Sequence, residues 1–232
     1  MIARRFIYLF IISSISVTSF AQTGTAWLKG GVNFANVSYN NDGEVDDATL
    51  LTSFHVGIMG DIPIAKVLAI QPGILLTGKG AKIQSGSPSD VTYYKATTNP
   101  LYIELPVNAV IKLPLAAPES NFFFGAGPYI AIGVGGKRKI EGKYLGVAFS
   151  SKEKIEYSND DPSTFNNEEG TGLGVMRRFD YGLNGTAGFQ LKNGMIALNY
   201  GYGLAKLQSG TNSSDDNKNK HRVLSISVGF KL

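Results

Sequence analysis

The sequence alternates between apolar residues and small or polar residues in segments of about ten residues, and eight such segments follow residue 22. Alternation with a period of two is typical of β-strands, because successive side chains point to opposite sides of a strand. Residues 101–112 show the pattern most clearly, with Ile103 and Leu105 on one face and Tyr102 and Glu104 on the other. The pattern predicts an all-β chain of eight strands.

The connections between these strands alternate in length. Three short connections carry turn residues, around 63–66, 113–121 and 192–194. Four long polar connections separate the other strands, around 38–51, 80–98, 137–176 and 208–220. With an even number of antiparallel strands, all short turns lie at one end and all long loops lie at the other. Outer-membrane barrels have this asymmetry, with short periplasmic turns and long extracellular loops.

Two features favour a membrane barrel over a soluble barrel that encloses an apolar ligand. The polar face consists largely of Gly, Ala, Asn and Ser, which suit the crowded interior of a narrow barrel. Aromatic residues of the apolar face lie near the strand ends, as in the girdles that flank the lipid-facing band of such barrels. They are Phe34, Phe54, Phe179, Tyr181 and Tyr202 at one end and Phe122, Phe124, Phe189 and Phe230 at the other. We predict an eight-stranded antiparallel transmembrane β-barrel with both termini in the periplasm.

The first 21 residues have the organisation of a secretory signal peptide. Arg4 and Arg5 precede an apolar run over Phe6–Ile12, and a stretch of mostly small residues ends at Ala21. Serines interrupt the segment before it reaches the roughly 20 consecutive apolar residues of a membrane-spanning helix. We predict a signal peptide at 1–21 that is removed, and an outer-membrane barrel domain at 22–232.

Composition excludes several other classes of protein. The chain has no cysteine, which removes disulfides, thiolate metal sites and cysteine nucleophiles. The formal net charge is +4. Without Arg4 and Arg5 the chain would carry 20 basic and 18 acidic residues, a net charge of about +2 that does not indicate nucleic-acid binding.

The polar face of the predicted barrel carries ionisable side chains, and a buried charge is costly unless it is paired. These side chains are Lys29, Asp61, Lys79, Glu104, Lys112, Asp180 and Lys231. The mixture of signs predicts a structural network of salt bridges and hydrogen bonds, which would include Asn33, Asn108, Asn184 and Asn199. The alternative is a narrow channel for ions or small solutes, although an eight-stranded barrel leaves little room for a water-filled pore.

The two histidines limit acid–base catalysis. His55 lies on the polar face of the second strand, where a structural hydrogen-bonding role is favoured. His221 is predicted at the outer rim near the serines and aspartates of 213–216, which leaves open a lipid-modifying enzyme. That loop shows no sign of rigid positioning, and we predict no enzymatic activity. No segment has the spacing of a defined metal or cofactor motif, and we expect neither.

Basic residues lie at both ends of the third long connection. Lys137, Arg138 and Lys139 begin it, and Arg177 and Arg178 follow it. Both groups are expected where the barrel meets the outer leaflet, near the phosphates of lipopolysaccharide, and charge-assisted contacts with those phosphates are one interpretation. An ordinary solvated loop is the other. The expected partners are membrane lipids and lipopolysaccharide.

Short sequence blocks follow one another through the chain after residue 22. They are KGGVNF at 29–34, FHVG at 54–57, IQPGIL at 70–75, KGA at 79–81, YIELP at 102–106, GAGPY at 125–129, DYGLN at 180–184 and SISVGF at 225–230. In these blocks the chain resembles the PorT-like outer-membrane β-barrel proteins of the Bacteroidetes group. The resemblance implies a barrel in the outer membrane of a Gram-negative bacterium. Such barrels often end in an aromatic residue, whereas this chain ends in Leu232 with Phe230 two positions earlier.

Most members of that family have no assigned activity, and its namesake takes part in a secretion system. We therefore expect a monomeric barrel with a structural or partner-binding role in the cell envelope. Other envelope or secretion proteins are the partners that the resemblance implies. The narrow channel and the lipid-modifying enzyme remain alternatives.

Overall fold

The structure is a computed structural model and describes residues 24–38, 48–158, 175–205 and 220–232. The strands within these ranges are β1 (Thr25–Ser38), β2 (Ala48–Thr49), β3 (Leu51–Ala65), β4 (Leu68–Gly78), β5 (Ala81–Ser85), β6 (Tyr93–Pro114), β7 (Asn121–Tyr144), β8 (Val147–Lys154), β9 (Glu156–Ser158), β10 (Val175–Arg177), β11 (Phe179–Gln190), β12 (Gly194–Gly203) and β13 (Lys220–Lys231). In the same ranges, no helix has the length and apolar composition that a membrane crossing requires. The predicted signal peptide at 1–21 lies outside the described residues.

Eight strands form a closed antiparallel ring. Their order is β1, β3, β4, β6, β7, β11, β12 and β13, and β13 pairs with β1 to close the ring. The prediction of an eight-stranded antiparallel barrel is therefore confirmed. β3 and β4, β6 and β7, and β11 and β12 are joined by the short connections at one end, and both chain ends of the ring lie there as well.

The stagger of the strands sets the width of the barrel. A path from partner to partner around the ring leaves β1 at Thr25 and returns to β1 at Ala35, ten residues further along. Such a stagger tilts the strands relative to the barrel axis, and with eight strands it leaves an interior that side chains can fill. The interior is therefore a core and has no room for a wide pore.

The two faces of each strand have the environments that the alternation predicts. In β6, Glu104 points inward and is 7% exposed, whereas its neighbour Leu105 points outward and is 42% exposed. The outward side chains of the ring are mostly apolar, which fits contact with lipid. The alternation also predicts Lys231 inside the lumen; it is exposed instead, because β13 ends there at the mouth of the barrel.

β6 and β7 continue beyond the ring at the end with the long connections. There, residues 93–100 of β6 and 135–144 of β7 form a five-stranded sheet with β2, β5 and β8, in the order β2, β5, β6, β7, β8. We call this five-stranded region the upper sheet. The connections are long, as predicted, but the sequence pattern did not predict strands in them, because polar residues occur on both faces there.

A register shift separates the upper sheet from the ring. Tyr102 of β6 pairs with Gly133 of β7, whereas Leu101 pairs with Gly135, so β7 contains one additional residue, Val134. Cross-strand partners share a face of a sheet. Odd-numbered residues of β7 therefore point into the lumen up to Gly133 and point outward from Gly135 onward.

Candidate functional site

The upper part of the lumen holds a buried ionic cluster. Lys79, directly after β4, places its Nζ 2.6 Å from Oε2 of Glu104 on β6 and 2.9 Å from Oδ2 of Asp180 on β11. All three side chains are buried. Since an unpaired buried charge is very unfavourable, this two-sided pairing is what makes their burial tolerable.

Further hydrogen bonds support this cluster. The Tyr129 hydroxyl donates to Oδ2 of Asp180 at 3.1 Å, and the Asn184 amide donates to Oε1 of Glu104 at 3.1 Å. The Lys79 ammonium also lies 3.9 Å from the centroid of the Tyr129 ring, a cation–π contact. The cluster therefore connects strands β6, β7 and β11 to Lys79 through ion pairs, hydrogen bonds and a cation–π contact.

A second ionic group lies near the short-turn end of the lumen. Asp61 of β3 pairs with Lys112 of β6, and its carboxylate also accepts hydrogen bonds from Gln71 at 3.5 Å and from Gln190 at 3.3 Å. Asp61 is buried, whereas Lys112 is partly exposed at the mouth. This group joins four strands at the short-turn end.

Between the two ionic groups lies a network of mainly neutral polar side chains. The Asn33 amide donates to Thr77 Oγ1 at 2.9 Å, and Asn33 Oδ1 lies 2.7 Å from Nδ1 of His55. The other ring nitrogen of His55 lies 2.9 Å from Ser227 Oγ. Lys29 donates to Asn199 Oδ1 at 2.9 Å. His55 thus has the hydrogen-bonding role that the sequence favours.

Apart from Lys231, the ionisable residues that the sequence places in the lumen all point into it, and these six carry three positive and three negative formal charges. They are Lys29, Asp61, Lys79, Glu104, Lys112 and Asp180. Their pairing partners could not be derived from the alternation, because alternation gives the face of a residue but not its neighbours across the barrel.

Apolar side chains close the lumen on both sides of the polar network. Trp27, Met59 and Met195 pack together near the short-turn end, and Tyr102 and Tyr129 pack together near the long-loop end. The cavity between them measures about 50 Å³ and is lined by both polar and apolar residues. One or two water molecules would fill such a volume, since a water occupies about 30 Å³ in the liquid.

His221 lies inside the barrel, which corrects its expected position at the outer rim. The side chain is 2% exposed and its ring centroid lies 5.6 Å from that of Tyr102, in an edge-to-face contact. The last strand begins at Lys220, one residue earlier than the alternation indicated, so His221 takes an inward position of β13. Residues 213–216, its expected catalytic neighbours, lie outside the described residues.

The register of the upper sheet separates the five basic residues that the sequence grouped together. Lys137 and Lys139 of β7 point outward, whereas Arg138 lies on the opposite face, opposite Glu153 of β8. Arg177 ends β10 and Arg178 precedes β11, and both are exposed. Contact with lipopolysaccharide remains a prediction for all five.

Glu141 is the one carboxylate among several ammonium groups on the outward face of the described upper sheet. It pairs with Lys139 and lies 3.9 Å from Lys95. The pKa of the Glu141 carboxyl is lowered from its ordinary value, first because Lys139 donates a hydrogen bond to it and also because Lys95 and Lys152 favour its charged form. Glu141 is therefore ionised at neutral pH.

The hairpin of β7 and β8 has an apolar and strained apex. Tyr144 pairs with Val147 across a two-residue turn, in which Leu145 and Gly146 have φ values of 48° and 82°. Such a turn favours Asn or Gly, because the left-handed conformation is costly for other residues. Leu145 is nevertheless 72% exposed, and Tyr144, Val147 and Phe149 beside it are exposed as well. The alternation did not indicate this group, and the glycine between the apolar residues Leu145 and Val147 was the available turn signal.

Comparison with known proteins supports the fold. The family model described as "Outer membrane protein beta-barrel domain" matches residues 20–209. No curated protein matches the sequence. Among solved structures, the chain is similar to Ail, the attachment invasion locus protein of Yersinia pestis, with 13% identity over 90% of this chain and 99% of that chain and a TM-score of 0.38.

Two further solved structures are similar to the chain. Neisserial surface protein A has 12% identity over 89% of this chain and 97% of its own, with a TM-score of 0.40. The N-terminal β-barrel domain of Pseudomonas aeruginosa OprF has 10% identity over 90% and 100%, with a TM-score of 0.29. Nothing about the role of this chain follows from likenesses at this level.

Proposed function

The chain belongs to the outer membrane protein beta-barrel domain family, and from this premise we propose that it binds a partner protein of the cell envelope through the upper sheet. In this proposal the barrel is an anchor whose filled lumen holds the sheet in place. The apolar apex of the β7–β8 hairpin, with Leu145 at its centre, is the contact surface.

The strained apex is the observation that carries this proposal. A leucine at φ 48° costs about 1–2 kcal/mol relative to a residue suited to that conformation. Its side chain lies exposed, so the cost is not offset by packing within the described protein. Backbone strain that is not offset by packing within the protein is typical of functional positions. Packing of Leu145 against a partner would offset it.

Lipid cannot account for the exposure of this apolar group. Leu145 lies twelve residues beyond Gly133, the last inward-facing ring position of β7. At roughly 3.3 Å per residue, this places the apex up to about 40 Å along the strand from the ring. An exposed apolar group in that position supports contact with another protein.

The resemblance to PorT-like proteins supports a finer version of this proposal. The chain would be exported by its signal peptide to the outer membrane of a Gram-negative bacterium and would act there as a monomeric barrel, as a subunit of a secretion or assembly complex. In that case the partner at the apex is another subunit of the complex.

Replacing Leu145 with Asn should separate stability from binding. Asn tolerates the left-handed conformation, so we expect the folded protein to become more stable by about 1 kcal/mol. We expect the same variant to lose most of its partner, because the exposed apolar side chain is gone. The measurement is mild-detergent extraction from native outer membranes, followed by quantitative mass spectrometry of the proteins that co-purify.

Leu191→Asn is the matched control, since Leu191 is an exposed leucine at the short-turn end. It should retain the partner at the level of the unchanged protein. A partner retained by Leu145→Asn and by the triple variant L145N/V147S/F149S would contradict the proposal. So would extraction of the unchanged protein without any stoichiometric partner.

A further inference from the structure

Four lysines form a compact group on the outward face of the upper sheet. Lys137 of β7 pairs in register with Lys154 of β8, and Lys139 pairs with Lys152. Directly opposed side chains lie about 5 Å apart, and residues two positions apart on one strand lie about 7 Å apart. We call these four residues the lysine quartet.

The quartet is poorly neutralised within the protein. Like charges directly opposite each other destabilise a pair of strands, and here two such pairs are adjacent. Among the described residues, Lys139 pairs with Glu141, and no carboxylate forms an ion pair with Lys137, Lys152 or Lys154. An anion bound between the four ammonium groups would remove this repulsion.

The position of the quartet indicates where such an anion comes from. On the outward side of β7, the exposed apolar residues Ile130, Ile132 and Val134 are followed by Lys137 and Lys139. The lysines thus begin about 10 Å along the strand above the last apolar residue of the lipid-facing wall, at roughly 3.3 Å per residue. In the orientation that the sequence predicts, with the long connections outside, the head groups of the outer leaflet lie at that level.

We propose that the lysine quartet binds the phosphate groups of a phosphorylated glycolipid in the outer leaflet. Lysine ammonium groups form charge-assisted hydrogen bonds with phosphate oxygens, and the apolar wall below the quartet contacts the acyl chains of the same lipid. This site is separate from the hairpin apex and does not depend on the partner protein.

The test uses the full barrel in phosphatidylcholine nanodiscs doped with bis-phosphorylated lipid A or with dephosphorylated lipid A. Bound lipid is measured by native mass spectrometry. We expect the unchanged protein to bind the phosphorylated form about tenfold more tightly. The variant K137Q/K152Q/K154Q should lose this preference. The control K66Q/K192Q/K231Q removes the same charge from exposed lysines at the short-turn end and should keep it.

Two results would overturn the proposal. One is that K137Q/K152Q/K154Q keeps the full preference for phosphorylated lipid A. In that case it would bind the lipid as the unchanged protein and the control K66Q/K192Q/K231Q do. The other is complete displacement of lipid A by inorganic tripolyphosphate at equal phosphate concentration, which would assign the quartet to a soluble polyanion. Retention of most of the lipid under that competition supports the lipid assignment, because acyl contacts hold the lipid to the barrel wall.

Discussion

Replacing Lys79 with Met is expected to destabilise the folded barrel by about 3–5 kcal/mol. The variant leaves the carboxylates of Glu104 and Asp180 buried without their shared counter-ion, from which they lie 2.6 and 2.9 Å in the unchanged protein. Both carboxylates keep one hydrogen bond, from Asn184 and Tyr129, but these bonds do not neutralise them. The free energy of unfolding in urea, measured in detergent micelles or lipid vesicles, gives the value.

Two further variants show whether the loss comes from unpaired charge. Lys192→Met removes an exposed lysine that lies 3.9 Å from Glu119, and it should change the free energy of unfolding by less than about 1 kcal/mol. The triple variant K79M/E104Q/D180N removes all three charges and should recover a large part of the stability. If K79M unfolds at the same urea concentration as the unchanged protein, the cluster does not stabilise the barrel.

Replacing Gly31 with Val is expected to prevent closure of the barrel. A Cβ atom on Gly31 would meet the backbone oxygen of Ile226 and lie 2.8 Å from Cα of Ser227, both on β13. Strand β13 would have to move away from β1, and without this pairing the described ring is open. We expect a loss of more than about 4 kcal/mol, at which little folded protein remains.

Gly185→Val is the matched control for this substitution. The glycine lies in strand β11 of the same ring, and a Cβ atom there has no other atom within 4 Å. Folding into lipid vesicles is followed by the shift in electrophoretic mobility between unheated and heated samples. Gly31→Val should show the heated mobility alone, and Gly185→Val should show the folded band. Equal folding of both variants would contradict the closure between β1 and β13.

Much of the ring could be predicted from the sequence, because alternation distinguishes the apolar, lipid-facing side of each strand from its crowded, lumen-facing side. For that reason the alternation places Glu104 and Asp180 in the lumen. Their partner Lys79 follows the last residue of β4, which pairs with β6, and its Nζ reaches both acids only because the stagger of the ring also brings Asp180 of β11 within reach. Stagger depends on pairing register, which a single sequence does not contain.

The upper sheet could not be predicted, for a different reason. Polar residues occur on both faces of its strands, so the contrast on which alternation depends is weak. The additional residue Val134 also reverses the faces of β7, and this reversal places Lys137 on the outward side and Arg138 opposite Glu153. A group of basic residues that is contiguous in sequence is thus divided between two faces. The hairpin apex at Leu145 was missed because leucine is unusual in such a turn.

The most direct test of this account is the accessibility of single cysteines in intact cells, since the chain has no cysteine of its own. Leu145→Cys places the only thiol at the hairpin apex, and Lys192→Cys places it in a short turn at the opposite end of the ring. A bulky maleimide that does not cross the outer membrane should label the cysteine at 145 in intact cells and the one at 192 only after the membrane is opened. Labelling of 192 but not of 145 in intact cells would show that the upper sheet does not face outward and would contradict the account.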